Sequence, residues 1–419
     1  MSLMDKKDIE ILEEMETDKK WSKGTFVGYK HTVNLYTTFN EKNLYELITE
    51  AELEEEKGVR WKNRKLLKRL INFRSYLIDN YSGSSVFNHF NRITAIYNYF
   101  LIEIHKIPKI NTKALKNTKP ISFHDLPSKK ILRKAIEISK PDMVAIIFFM
   151  SSSGCGKSEV LSFTIKDFII ATNNYHDISH EIENENPKER KIIEKNNIDL
   201  LIKTLMAHEK VIPTFDIHRA KTNKYYFSFC SHEAVTAILN HLLTRSDCDN
   251  LTYDSKLFKT NYRYFSVRFK YTNDKLGLGK AGKYNTFSSH MLRKYHASNL
   301  IRKGSSGHSL TEKQVDALQG RAKVDTRKSY MFEDHESLRE QYIECLDNIT
   351  LYDDNSLVEN SNKYKNIQKD LAERKQNLVN LEKEVKKLKE EKGDWEDEKV
   401  EMEEAIYYRV MNSFKNLPP

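Results

Sequence analysis

Cysteine is scarce in this chain: Cys155, Cys230, Cys248 and Cys345 are the only four in 419 residues. They are scattered, with no C-x-x-C pair. That excludes a zinc site built on such pairs and fits reduced thiols in a cytoplasm. No apolar run is long enough to span a bilayer, and no signal-peptide pattern stands at the N-terminus. A phosphate-binding loop is missing too. Gly154-Cys155-Gly156-Lys157-Ser158 ends like one, but that motif needs four residues between its glycines and a preceding strand. Here a nearly all-apolar helical stretch, Pro141 to Met150, comes first, so an ATPase reading is set aside.

What the chain has is positive charge. Lys and Arg number 69 against 60 Asp and Glu, a formal net charge of +9, although the tail carries long acidic runs. The positive charge is therefore concentrated elsewhere, as expected of a nucleic-acid binder. The length suggests two or three domains with sizeable cores.

Residues 1–23 read as a charged N-terminal arm or peripheral helix. From 24 to 106 the apolar residues recur at helical spacing in about four segments, which predicts a small all-α domain. Its polar faces carry Arg64, Lys65, Lys68 and Arg69, the candidate phosphate contacts of that domain. Residues 107–120 contain two prolines and several lysines, the composition of an extended linker suited to lie along DNA phosphates. A larger domain follows over 121–352. Within it, residues 173–210 are polar with little periodicity and read as an elaborated loop. The stretch from Val211 to Cys230 alternates apolar and polar residues about a polar turn, which signals a β-hairpin. After 352 a heptad pattern runs through Tyr364, Leu371, Leu378 and Val385, with a second row at Ile367, Arg374, Leu381, Leu388 and Trp395. It predicts a self-associating coiled coil over 360–415.

The chemistry concentrates between Ser288 and Tyr330. His290 and Arg293 are three apart and share a face on a helix. After the breaker Gly304-Ser305-Ser306-Gly307, a second helical pattern ends at the turn Gln319-Gly320-Arg321, and Tyr330 lies beyond it. Guanidinium forks bind phosphate oxygens two at a time and stay charged. They would stabilise charge spreading over the non-bridging oxygens in a phosphoryl-transfer transition state. A tyrosine hydroxyl becomes a useful nucleophile once cationic neighbours lower its pKa, and His290 can move the proton.

H-M-L-R, then A-L-Q-G-R, then S-Y resembles the motif set of the tyrosine recombinase (phage-type integrase) family, particularly its archaeal integrases. The resemblance covers roughly residues 20 to 350. It implies a mainly α fold with a small β-hairpin or sheet (α+β). It also implies a helical core-binding domain that grips the duplex, ahead of a tyrosine-recombinase catalytic domain. Tyr330 would be the nucleophile, Arg293 and Arg321 the phosphate clamp, and His290 the proton-transfer group. Arg321 stands where the family usually has His or Trp. Lys221, in K-T-N-K-Y-Y, matches the hairpin lysine that acts as general acid, with Lys224 as the fallback; His218 and Arg219 beside it can touch DNA backbone.

One position departs from the pattern. Alignment on Gly154 and Glu159 puts Gly156 where the family has its first arginine. Lys157 as a point charge, another residue, or a partner subunit would have to replace it; without a replacement the enzyme is weak or silent. The resemblance further implies double-stranded DNA as partner, a homo-oligomer in a tetrameric synapse on DNA, no cofactor or metal, and integration or excision of a mobile element. A nucleoid-associated protein of archaeal or viral origin is expected. The competing expectation is a catalytically silenced DNA-binding or architectural protein on the same scaffold, with a type IB topoisomerase-like enzyme a weaker third.

Overall fold

The computed structural model describes residues 5–109, 115, 119–183, 186–219, 223–304, 307–321 and 335–352. They form a mainly helical structure with one principal β-hairpin. The chain divides into two compact units, Met1–Pro120 and Ile121–Pro419.

The first unit contains α1 (Lys6–Lys19), α2 (Lys23–Asn40), α3 (Leu44–Glu56), α4 (Lys65–Asn80) and α5 (Gly83–Tyr99). Helix α1 is packed into this unit rather than lying loose. Leu12 and Met15 are fully buried, and the Asp8 carboxylate accepts the Leu44 and Tyr45 backbone N–H groups at 2.8 and 3.1 Å. It thereby satisfies two donors that the first turn of α3 would otherwise leave bare. Tyr36, Phe73 and Tyr97 stack edge-on in the core, and the two tyrosine hydroxyls share a hydrogen bond of 3.1 Å.

The second unit is built on α7 (Pro141–Ser153), which follows α6 (Lys129–Glu137). Every α7 residue from Met143 to Ser153 is buried, as expected of a helix apolar on all sides. It packs against α11 (His232–Thr244) and α13 (Ser289–Ile301). Its last turn is polar yet buried. The Ser152 and Ser153 hydroxyls donate to the carbonyls of Phe148 and Phe149 at 2.8 and 2.7 Å, so no polar group is stranded. Gly154 then ends α7 in the left-handed region (φ 65°), with its N–H on Met150 O, the usual glycine stop.

After α8 (Lys157–Ser162) and α9 (Ile165–Ala171) comes α10 (Pro187–Ala207), which corrects the expectation of a loop over 173–210. Its buried apolar residues, Ile198, Leu201, Ile202 and Leu205, are confined to the second half; the first half is charged, with Ile192 and Ile193 exposed, and masks the period. Strands β1 (Thr214–Arg219) and β2 (Lys224–Phe229) pair antiparallel, from Thr214 opposite Phe229 to Arg219 opposite Lys224. This is the hairpin expected from the alternation. Phe149, Phe163 and Phe215 pack as one aromatic cluster beneath it. The chain continues through α11, α12 (Tyr262–Lys275), a two-residue ladder of β3 (Lys280–Ala281) with β4 (Tyr284–Asn285), α13, α14 (Glu312–Leu318) and α15 (His335–Glu344).

Helix α15 and the segment after it are anchored. Tyr342 donates to Ser152 O at 2.9 Å, and the buried Glu233 carboxylate accepts the Leu351 and Tyr352 N–H groups at 2.9 and 2.7 Å. Among the described residues no helix is long and apolar enough to cross a membrane. The expected coiled coil over 360–415 lies outside the described residues.

Candidate active site

The site forms where the end of α7, the middle of α13 and the turn after α14 meet. Arg293 is buried, and its guanidinium donates to the Gly154 carbonyl at 2.8 Å and to the Gln319 carbonyl. A guanidinium carries five N–H donors, so these bonds orient the group without exhausting it. Gln319 is fully buried and returns the contact. Its Nε2 donates to Arg293 O at 3.0 Å and lies 2.9 Å from His296 Nδ1.

His296 is held at about 3 by burial first and by Arg293 and Arg321 next. It is therefore neutral and packs the site; it does not titrate there. Its ring also explains Gly154: a Cβ at that residue would lie 2.4 Å from His296 Nδ1. Gly320, at φ 59°, is required for the same reason. A Cβ there would come within 2.6 Å of the Tyr226 ring.

Arg321 follows this turn, its backbone N–H bonded to Asp316 O at 2.8 Å. Partial burial, Arg293 and Arg219 all pull its pKa down, and Asp316 opposes them. His290 is half-buried against the Tyr284 ring, centroids 4.2 Å apart. Burial first, then Lys294, Arg321, Arg293 and Lys283, push its pKa below the ordinary 6.5. At neutral pH it is an uncharged imidazole, able to accept a proton. Thus three of the expected residues, His290, Arg293 and Arg321, are brought into one electrostatic neighbourhood. Tyr330 and Lys221 lie outside the described residues.

Lys157 goes elsewhere. Its ammonium donates to Tyr262 O at 2.7 Å and Ser266 Oγ at 2.5 Å and sits over the Tyr262 ring, on α12. Burial pulls its pKa down to about 8. Gly156 leaves a space that the Glu159 carboxylate occupies, since a Cβ there would lie 2.4 Å from Glu159 Oε2. Arg219 reaches Glu159 Oε1 through Nε at 3.4 Å and Gly320 O through Nη1 at 2.8 Å. Spacing carried no signal for that role, because its partner carbonyl is 101 residues away in sequence.

In the first unit most of the candidate cations have anionic partners. Arg64 is buried against Glu55 at 2.9 Å and donates to Val59 O. Glu50 collects Lys42, Lys65 and Arg69 at 2.7 to 2.9 Å. Burial opposes its ionisation, but those three hydrogen bonds outweigh it and hold the carboxyl at about 2. Of the four candidates only Lys68 is an exposed cation with no anionic partner among the described residues.

No protein-family model and no curated protein matches the chain. Solved structures similar to it include the Tn1549 transposon integrase in complex with circular-intermediate DNA. That match has 14% identity and a TM-score of 0.42, over 81% of this chain and 99% of that one. Another is the XerH site-specific recombinase bound to its difH substrate, with 17% identity, a TM-score of 0.37 and coverage of 65% and 69%. A third is the XerA recombinase, with 16% identity, a TM-score of 0.29 and coverage of 81% and 97%.

Proposed function

We propose that this chain cuts and rejoins DNA strands as a site-specific tyrosine recombinase. The observation that carries the reading is the gathering of His290 and Arg293 from α13, and Arg321 from the turn after α14, into one cationic cluster. Its cations outnumber the carboxylates that face them, and a phosphodiester supplies the missing negative charge. Tyr330 lies in the chain between two fixed points, Arg321 and α15.

In the reaction, Tyr330 Oη attacks phosphorus and gives up its proton to His290. The bond between phosphorus and the 5′ oxygen breaks, and Lys221 supplies the proton that the departing oxygen takes. A 3′-phosphotyrosyl link and a free 5′ hydroxyl result, and reversal on a second strand reseals the DNA. Arg293 and Arg321 hold the non-bridging oxygens, with donors preorganised by the fold before charge develops. Double-stranded DNA is the partner, four protomers on two sites make the synapse, and integration or excision of a mobile element is the use. The silenced, architectural alternative is favoured by one observation, the glycine at position 156.

Covalent capture decides between them. The protein is incubated with a pool of nicked duplexes carrying a randomised core, from which a cleaved strand cannot be resealed, and SDS-stable adducts are sequenced. Adducts enriched in one core support the enzyme; salt-sensitive binding without adducts supports the architectural reading.

On the captured duplex, the second-order rate of adduct formation reads the free enzyme's groups. It is expected to fall as pH drops through the lowered pKa of His290, below 6.5, and to be level above it, because the neutral ring is the proton acceptor. His290→Gln is expected to remove that inflection. A wild-type rate with no acid-side inflection, or an inflection that survives in His290→Gln, would contradict this role.

A further inference from the structure

The turn at residues 319–321 organises three guanidinium groups. The Gln319 carbonyl accepts from Arg293, the next carbonyl, that of Gly320, accepts from Arg219 at 2.8 Å, and the third residue is Arg321 itself. Two consecutive carbonyls thus aim two arginines at the place where a third begins. We propose that Arg219, at the end of β1, is a phosphate-binding residue of this site and contacts a non-bridging oxygen of the DNA phosphodiester. The proposal rests on the strand-cleavage reading above.

The packing around Arg219 is specific to it. Glu159 is buried, its side chain 7% exposed, whereas that of Arg219 is 25% exposed, so the carboxylate lies inside and the guanidinium reaches toward solvent. Glu159 takes this position against the bare backbone of Gly156. A Cβ at Gly156 would meet Glu159 Oε2 at 2.4 Å, although the backbone there (φ −82°) would accept any residue. Gly156, Glu159 and Arg219 therefore form one arrangement. The glycine capping the start of α8 presents no side chain, the carboxylate fills the space, and the guanidinium comes in from β1.

The charge count points the same way. Arg219 and Arg293 both act on Arg321 as like charges, and Glu159 is the carboxylate in direct contact with Arg219. Three guanidinium groups on one turn are costly without an anion, and a fork that keeps donors at a rim is suited to bind one.

The test uses the captured duplex in two forms, one with the ordinary scissile phosphate and one with a methylphosphonate there. The methyl group replaces a non-bridging oxygen and removes its charge. Arg219→Ala is expected to slow adduct formation on the ordinary duplex by about 10²-fold, and on the methylphosphonate by less than about fivefold, because a neutral centre no longer needs the guanidinium. Equal losses on both duplexes would make Arg219 a strap that holds the turn, and no loss on either would remove it from the site; both outcomes overturn the proposal. If the wild-type protein captures no duplex from the pool, the strand-cleavage reading fails, and this one with it.

Discussion

Arg293→Ala is expected to abolish measurable strand cleavage, slowing adduct formation by about 10³-fold through loss of a donor pair aimed at the phosphate. Arg293→Lys keeps the charge but loses the fork, and is expected to remain slower than wild type by about 10²-fold. The alanine variant also leaves the Gly154 and Gln319 carbonyls without the donors they now have. Buried acceptors left bare cost about 1–3 kcal/mol each, so a lower melting temperature should accompany the loss. Single-turnover kinetics on the captured duplex and calorimetry separate the two effects. A variant with normal cleavage would show that Arg293 only braces the fold.

The largest effect expected on stability comes from a residue with no side chain. Gly154→Ala places a Cβ 2.4 Å from His296 Nδ1 and 2.8 Å from Gln319 Nε2, at a backbone φ of 65°. Left-handed strain and overpacking together are expected to cost about 3 kcal/mol, a fall of about 10 °C in the melting of the second unit. Cleavage should fall as well, because the Gly154 carbonyl holds Arg293. Gly277→Ala is the control. Its φ is nearly the same, 64°, but nothing lies within 4 Å of the added atom, so only the strain of about 1–2 kcal/mol remains. Equal melting temperatures for the two variants would contradict the packing of His296 against Gly154.

The parts of this molecule that were legible in sequence are those whose signals are local. The alternation around residues 211–230 gave the hairpin, and the three-residue spacing of His290 and Arg293 put both on α13. Helix α10 was hidden because its burial begins only at Glu194, after a charged first half. Asn186 as its cap and Pro187 in its first turn were the start signals available.

The basic residues of α4 illustrate a different limit. Counting Arg64, Lys65 and Arg69 as DNA contacts left out the acids of α3, Glu50 and Glu55, which pair with them across helices. Lys157 was misplaced similarly, since its partners Tyr262 and Ser266 are more than a hundred residues away. From sequence, Arg219 is only a residue beside Lys221 able to touch DNA backbone, with nothing local to join it to the other arginines. Only the folded turn at 319–321 brings it beside Arg293 and Arg321.

The identity of the residue joined to DNA decides whether Tyr330 is the nucleophile. The adduct formed with the captured duplex is digested with nuclease and protease, and the peptide carrying the residual nucleotide is sequenced by mass spectrometry. A nucleotide linked through a 3′ phosphate to Tyr330 is expected, with no adduct from Tyr330→Phe although that variant still binds the duplex. A nucleotide on any other residue, or an adduct that survives Tyr330→Phe, would contradict that assignment.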